Sequence, residues 1–134
     1  MLPRTAAPAL LINYESKDWM KIGKSRIGNL DVITLNGRLD AANEHAFEEE
    51  GIRLVLAGAR CIAVDMAGLT YISSAGIGGL LRLRGALGET GGELFLCGAK
   101  GVVKSVLEIT RVADMIKMHA NLADAAVTVL PGTS

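Results

Sequence analysis

Apolar and polar residues along this chain follow two periods that alternate. A period of two, or a short run of β-branched residues, is typical of a β-strand, whereas apolar residues three and four apart indicate a helix with one buried face. The strand-like patterns are 20–27, 30–35, 61–64, 93–97 and 115–118. The helical patterns are 42–56, 77–87, 102–109 and 121–129. Strands that alternate with helices predict an α/β layer structure with right-handed crossovers between parallel strands.

Pairs that contain glycine and asparagine predict the turns between these elements. Gly28-Asn29 predicts a hairpin turn, and Asn36-Gly37 predicts a second turn shortly afterwards. Asp40 precedes the first helical pattern, and on local grounds we interpret it as a helix cap. Asn121 is expected to open the last helix, since Asp124 follows it three residues later.

Two adjacent serines, Ser73 and Ser74, stand between the third strand-like pattern and the second helical pattern. One interpretation of Ser74 is a simple cap for the free N–H groups of the helix. The other interpretation is chemical, because the positive charge at a helix N-terminus stabilises a bound anion or a phosphate added to an exposed serine. Gly76, Gly78 and Gly79 are poor helix formers, which predicts a surface kept flat so that another molecule can come close.

Size and charge narrow the classes of function. The chain has 134 residues, enough for one domain, and its 50% hydrophobic and 21% charged residues are typical of a globular protein. Lys+Arg and Asp+Glu both number 14, so no excess of positive charge points to nucleic acid or to an acidic membrane surface. We interpret 1–18 as a loosely ordered N-terminal extension, 19–130 as the domain and 131–134 as a tail.

The cysteines and histidines do not form a recognisable metal site. Cys61 and Cys97 each lie in an apolar run, which indicates small core residues. The alternative, if the two strands are neighbours, is a disulfide between them. His45 and His119 have no metal-binding spacing with the cysteines, so no metal or other cofactor is predicted. No segment reaches the ~20 apolar residues of a membrane span, and the N-terminal apolar run is too short for a signal core. We therefore expect a cytoplasmic protein without a membrane partner.

Two enzyme motifs are present, each incomplete. Ser74-Ala75-Gly76 matches the end of the nucleophile elbow Gly-x-Ser-x-Gly, but Ile72 occupies the position of the first glycine. Residues 98–105 follow a strand and open a helix as a P-loop does, but Val103 occupies the position of the second glycine. We therefore expect a protein that is not an enzyme.

The run 69–77 (LTYISSAGI), together with 37–40 (GRLD), resembles the anti-sigma factor antagonist family, whose domain is called STAS. The similarity covers roughly 27–130. It implies a single domain with a central mixed β-sheet of four to five strands packed with about four helices. Members of the family often have Gly near the end of the helix after the fourth strand; this chain has Arg111 there, which would need another way to end the helix.

The resemblance also implies which residues carry the function. A partner kinase phosphorylates the strand-to-helix serine of the family, and matching the Gly76-Ile77 pair places that serine at Ser74. The archetypes have Asp before this serine and Ser after it, whereas this chain has Ser73 and Ala75, so Ser73 is a rival acceptor. In the family an Asp at the position of Asp40 lies near the acceptor and helps to bind the kinase. The expected partner-binding residues are therefore Asp40, Ser73, Ser74, Ala75, Gly76 and Ile77.

The partners implied by the resemblance are two regulatory enzymes. An anti-sigma factor that is itself a serine kinase binds the unphosphorylated protein and releases it once Ser74 is phosphorylated; a PP2C-type phosphatase resets the serine. The resemblance also allows a weak homodimer. The alternative is a STAS interaction subunit that is not phosphorylated and belongs to a transport or larger signalling assembly.

Overall fold

The structure, a computed structural model, describes residues 20–129. The predicted extension 1–18 and the predicted tail 131–134 lie outside the described residues, as do the two end residues of the predicted domain 19–130.

Within residues 20–129, five strands form a single mixed sheet in the order β1-β2-β3-β4-β5. β1 and β2 are antiparallel and form a hairpin, whereas β2, β3, β4 and β5 run parallel to one another. The strands are β1 Met20–Ile27, β2 Leu30–Leu39, β3 Cys61–Ile72, β4 Glu93–Cys97 and β5 Lys117–His119. The hairpin turn predicted at Gly28-Asn29 is confirmed, and Gly28 takes the positive φ of 60° that such a turn requires.

Four helices pack on this sheet, which confirms the predicted α/β architecture. They are α1 Glu44–Leu56, α2 Ser74–Glu89, α3 Gly101–Ile109 and α4 Leu122–Thr128. Side chains of α1, α2 and α3 share one core with one face of the sheet, whereas α4 covers the other face. Asn121 caps α4 as predicted, because its Oδ1 accepts a hydrogen bond from the N–H of Asp124 at 2.9 Å.

The second predicted turn is wrong, because Asn36-Gly37 does not turn the chain. β2 continues through both residues to Leu39, and its pairing with β3 shifts register there. Gly37 has a φ of 113°, and the Asn36 side chain occupies the space that a Cβ at Gly68 of β3 would need. A β-bulge uses the same residue types as a turn, which explains why the local pattern was misleading.

β3 is much longer than its predicted apolar run, 61–64. The strand continues to Ile72, and beyond Asp65 it pairs with β2 alone because the pairing with β4 ends there. This extension carries the chain past β4 and leads through Ser73 to the first residue of α2. The last strand is also displaced from the predicted 115–118 to Lys117–His119, after a short 3-10 turn at Val112–Asp114.

The two cysteines lie in neighbouring strands but do not meet. Cys61 is opposite Glu93 and Cys97 is opposite Asp65, which separates the cysteines by four positions, roughly 13 Å along a strand. A disulfide needs Cα atoms no more than about 7 Å apart, so both thiols are free. Burial raises the pKa of Cys97 to about 11, so this thiol is neutral and weakly nucleophilic at pH 7.

Arg111 ends α3 by adopting the left-handed conformation itself, with φ 69° and ψ 13°. Its Nε lies 2.7 Å from Asp114 Oδ2, but both side chains are exposed, so the ion pair contributes little. Arg111→Gly is therefore expected to raise the free energy of unfolding by about 1 kcal/mol, since glycine takes this conformation without strain. Urea denaturation measures the change.

Arg111→Ala is the matched control for this prediction, because alanine also loses the ion pair but keeps the Cβ. We expect Arg111→Ala to be no more stable than the parent protein. Equal stability of the Gly and Ala variants would contradict the argument that the backbone conformation is the source of the strain.

Candidate functional site

The candidate site begins where β3 passes into α2 through a single residue. Ser73 is extended (φ −99°, ψ 176°), and its hydroxyl oxygen accepts a hydrogen bond from the N–H of Gly76 at 3.3 Å. Ser73 is therefore the residue that caps α2, and the interpretation of Ser74 as the cap is wrong. Ser74 is the first helical residue, and it is exposed at the positive end of the helix.

Backbone hydrogen bonds hold this connection tightly. The N–H of Ser73 donates to the carbonyl oxygen of Leu39 at 3.0 Å, which ties the start of α2 to the end of β2. The carbonyl oxygen of Ser73 accepts from the N–H of Ile77 at 3.0 Å and so begins the helical ladder. The position of Ser74 is consequently fixed by two strands and one helix.

The glycines of α2 permit close packing inside the protein, and the prediction that they keep an outer surface flat is wrong for two of them. A Cβ at Gly76 would lie 2.9 Å from Cγ1 of Ile72 and 3.0 Å from the carbonyl oxygen of Leu39. A Cβ at Gly79 would lie 3.0 Å from Cγ of Glu44 on α1. Both glycines are buried, so they set how closely α2 approaches β2, β3 and α1.

Asp40 lies just after β2, at the same edge of the sheet as Ser73. Its Oδ1 accepts from the N–H of Ala42 at 3.1 Å, and its carbonyl oxygen accepts from the N–H of Glu44 at 2.9 Å. Asn43, not Asp40, is the residue that immediately precedes α1. The predicted helix cap at Asp40 is therefore wrong: its carboxylate closes the turn that leads into the helix.

Arg38 and Tyr71 add a cation and an aromatic ring to the same edge. They are paired across β2 and β3, and Cζ of Arg38 lies 4.3 Å from the centre of the Tyr71 ring. Nε of Arg38 lies 3.7 Å from Oδ2 of Asp40. Their neighbours Leu39 and Ile72 belong to the core that α1, α2 and α3 cover, so alternation places Arg38 and Tyr71 on the opposite face of the sheet.

Arg82 joins α2 to α1 through two carboxylates. Its Nη2 lies 2.8 Å from Oε2 of Glu44, and its Nε lies 3.0 Å from Oε1 of Glu48. A hydrogen bond with Glu44 and the nearby Arg82 guanidinium hold the pKa of Glu48 below its usual value. The same two carboxylates raise the pKa of Arg82, which stays charged.

The six predicted partner-binding residues fall into two groups in the structure. Ser74 is exposed, and Asp40, Ser73 and Ala75 are half-buried at the carboxyl ends of β2 and β3. Gly76 and Ile77 point inward, and Ile77, which is 9% exposed, packs into the main core. The outer group forms a surface, and the inner group supports it from below.

The sequence predicted no role for Arg38, Tyr71 or Arg82. Arg38 meets Tyr71 only because β2 pairs with β3, and Arg82 meets its carboxylates only because α2 packs beside α1. The four-residue spacing of Glu44 and Glu48, which places both carboxylates on one face of a helix, was the available signal. Within 20–129, no cluster of His, Cys, Asp and Glu is arranged to hold a metal ion. None of the helices in that range is long and apolar enough to cross a membrane.

Comparisons with known proteins agree with this geometry. A model of the STAS domain family matches residues 21–125. A protein of Bordetella bronchiseptica named "Putative anti-sigma factor antagonist BtrV" is 34% identical over 107 residues, which cover 80% of this chain and 91% of that protein.

Two solved structures share the fold at low identity. The Bacillus cell fate determinant SpoIIAA in its phosphorylated form has a TM-score of 0.66 and 20% identity, covering 81% of this chain and 99% of that chain. A murine anion transporter, Slc26a9, has a TM-score of 0.64 and 18% identity, covering 78% of this chain but only 18% of the transporter. The family match spans most of the chain, and the identity to the Bordetella protein covers nearly all of that relative. This chain belongs to the STAS domain family.

Proposed function

We propose that this protein is an anti-sigma factor antagonist that is switched by phosphorylation of Ser74. In its unmodified form, the surface formed by Asp40, Ser73, Ser74 and Ala75 binds an anti-sigma factor that is a serine kinase. This binding displaces the sigma factor and allows transcription. The observation that carries the proposal is that Ser74 is exposed and is the first residue of a rigidly held helix.

The structure favours Ser74 over Ser73 as the acceptor. The Ser73 hydroxyl is half-buried and already accepts the N–H of Gly76, so a phosphate there would displace the cap of α2, which is worth about 1 kcal/mol. A phosphate on Ser74 leaves that cap in place. It also lies near the positive end of the helix, where an anion is stabilised.

Phosphorylation acts on the interface rather than on the fold. The phosphate adds about −1.5 to −2 charge at neutral pH. When the surface is pressed against a partner without a matching cation, this charge loses its water without compensation. A penalty of about 4 kcal/mol corresponds to a thousandfold loss of affinity, which suffices for a switch without a large conformational change. A PP2C-type phosphatase would restore the unmodified serine.

Site-resolved phosphorylation tests the proposal. The protein is incubated with the serine kinase that its own organism supplies and Mg·ATP, and intact mass spectrometry counts the phosphates added. We expect one phosphate on the parent protein and on Ser73→Ala, and none on Ser74→Ala. Labelling that is lost in Ser73→Ala alone would show that the acceptor is Ser73.

The alternative is an interaction subunit of a transport or larger signalling assembly, and the likeness to a domain of the anion transporter favours it as the second candidate. That function predicts no phosphate on either serine with any serine kinase of the organism. It also predicts that Ser74→Asp leaves partner binding unchanged.

A further inference from the structure

The outer face of α2 carries three residues spaced by one helical turn: Ser74, Gly78 and Arg82. Residues four apart on a helix lie on the same side, and their Cβ atoms would be about 5–6 Å apart. Helical side chains lean toward the N-terminus, which directs Arg82 toward Ser74. Nη1 of Arg82 lies 3.2 Å from the place where a Cβ at Gly78 would be. The guanidinium therefore covers Gly78, which lies about one helical turn from Ser74.

Arg82 is held in this position by carboxylates on the neighbouring helix. Glu44 and Glu48 bind it at 2.8 and 3.0 Å, and their side chains are only 14% and 25% exposed, whereas Arg82 is 54% exposed. The guanidinium can therefore be reached from solvent while α1 supports it from one side. Together the two carboxylates and the guanidinium carry a net charge of about −1 at neutral pH.

We propose that Arg82 binds the phosphate of phosphorylated Ser74 and exchanges at least one of its carboxylate partners for it. This inference rests on the proposed function, because it requires a phosphate at Ser74. The helix rises only about 6 Å from Ser74 to Gly78, over which the guanidinium already lies. A phosphate oxygen can then reach an Arg82 N–H through side-chain rotation alone. Arginine also matches the geometry of phosphate better than that of a single carboxylate oxygen.

The exchange would spread the electrostatic effect of the modification from α2 to α1. When the phosphate is added, Glu44 and Glu48 would lose part of the positive charge of Arg82 that now balances their negative charges. The phosphate by itself changes the net charge of this part of the surface from about −1 to about −3, and the exchange leaves part of that charge on Glu44 and Glu48. A docked partner would then meet new negative charge on α1 as well as on α2.

Arg38 is the other cation near the site, and its placement makes it a poorer phosphate ligand. It lies over the Tyr71 ring with Asp40 at 3.7 Å. Alternation along β2 and β3 directs it to the face of the sheet opposite α2. Arg38 is therefore the competing hypothesis that an experiment has to separate from Arg82.

The test installs phosphoserine at position 74 during translation, so that no kinase is needed, and follows its phosphorus resonance against pH by ³¹P NMR. A nearby cation favours the dianion, so we expect the second pKa of the phosphoserine to rise by roughly 0.5–1 pH unit in Arg82→Gln. The control is Arg84→Gln, an exposed arginine on a different side of α2, for which we expect the parent value. The side-chain N–H resonances of Arg82 should also move on phosphorylation, because at least one of its bonds to Glu44 and Glu48 is exchanged for one to phosphate.

Three variants, Arg82→Gln, Arg84→Gln and Arg38→Gln, decide between the outcomes. Equal phosphoserine pKa values in Arg82→Gln and Arg84→Gln would overturn the proposal. A rise in Arg38→Gln with none in Arg82→Gln would also overturn it and assign the phosphate to the other face. Because the phosphate is installed at translation, a failure here is distinguishable from failure of the proposed function, which would appear as no labelling by a kinase or no loss of partner binding.

Discussion

Ser74→Asp is expected to weaken binding to the proposed anti-sigma kinase by roughly a hundredfold and to leave the fold intact. The carboxylate places one negative charge at the centre of the proposed interface, and burial of a charge there that the partner does not match with a cation costs about 3 kcal/mol. A phosphate, with nearly twice the charge, is expected to cost about a thousandfold in affinity. Isothermal titration calorimetry against the unmodified protein measures the difference.

The matched control is Ser74→Asn, which has the shape of the Asp variant without its charge. We expect the affinity of Ser74→Asn for the partner to be within about tenfold of that of the parent protein, because burying a neutral amide costs little. The melting temperature of Ser74→Asp should be equal to that of the parent protein or slightly higher, since an acidic residue is favourable in the first turn of a helix. Equal binding by the Asp and Asn variants would contradict the electrostatic switch.

Gly76→Ala is expected to lower the free energy of unfolding by about 2–3 kcal/mol. The new methyl group would lie 2.9 Å from Ile72 Cγ1 and 3.0 Å from the carbonyl oxygen of Leu39. Neither the buried Ile72 side chain nor the backbone of β2 can move away freely, so α2 must shift instead, and overpacking of this kind costs about 1–3 kcal/mol. The same carbonyl accepts the N–H of Ser73, so the shift would also loosen the connection that positions Ser74.

Gly85→Ala provides the control on the same helix. Gly85 is exposed, and a Cβ there would meet no atom within 4 Å. This substitution should therefore raise stability by about 1 kcal/mol through helix propensity alone. Urea denaturation of the two variants should give changes of opposite sign. A stabilising effect of Gly76→Ala would show that the contact with Leu39 and Ile72 does not limit the approach of α2.

The architecture was predictable because its signals are local. The alternation of strand and helix patterns, the hairpin turn at Gly28-Asn29 and the cap at Asn121 all depend on residues a few positions apart. Asn36-Gly37 and the length of β3 were not predictable in this way. The backbone of Gly37 and the extension of β3 to Ile72 are both stabilised by pairing between β2 and β3, whose partners lie about 30 residues apart in the chain.

The candidate site was likewise only partly predictable from local sequence. Local pattern placed a hydroxyl between a strand and a helix, but it did not establish which serine caps the helix. That assignment depends on the N–H of Ser73 reaching Leu39 on another strand. The ion pairs of Arg82 likewise require α1 and α2 to lie side by side, which no single segment reveals.

The single-residue connection at Ser73 has a consequence for any enzyme that modifies Ser74. Many substrates enter an active-site cleft as extended, pliable segments, but here the chain is already clamped on both sides of the serine. Such an enzyme would have to recognise a preformed backbone shape, and a synthetic peptide spanning 69–80 would present the same amino acids without that shape. Insertions or deletions at this junction would misplace the serine even if the domain still folded.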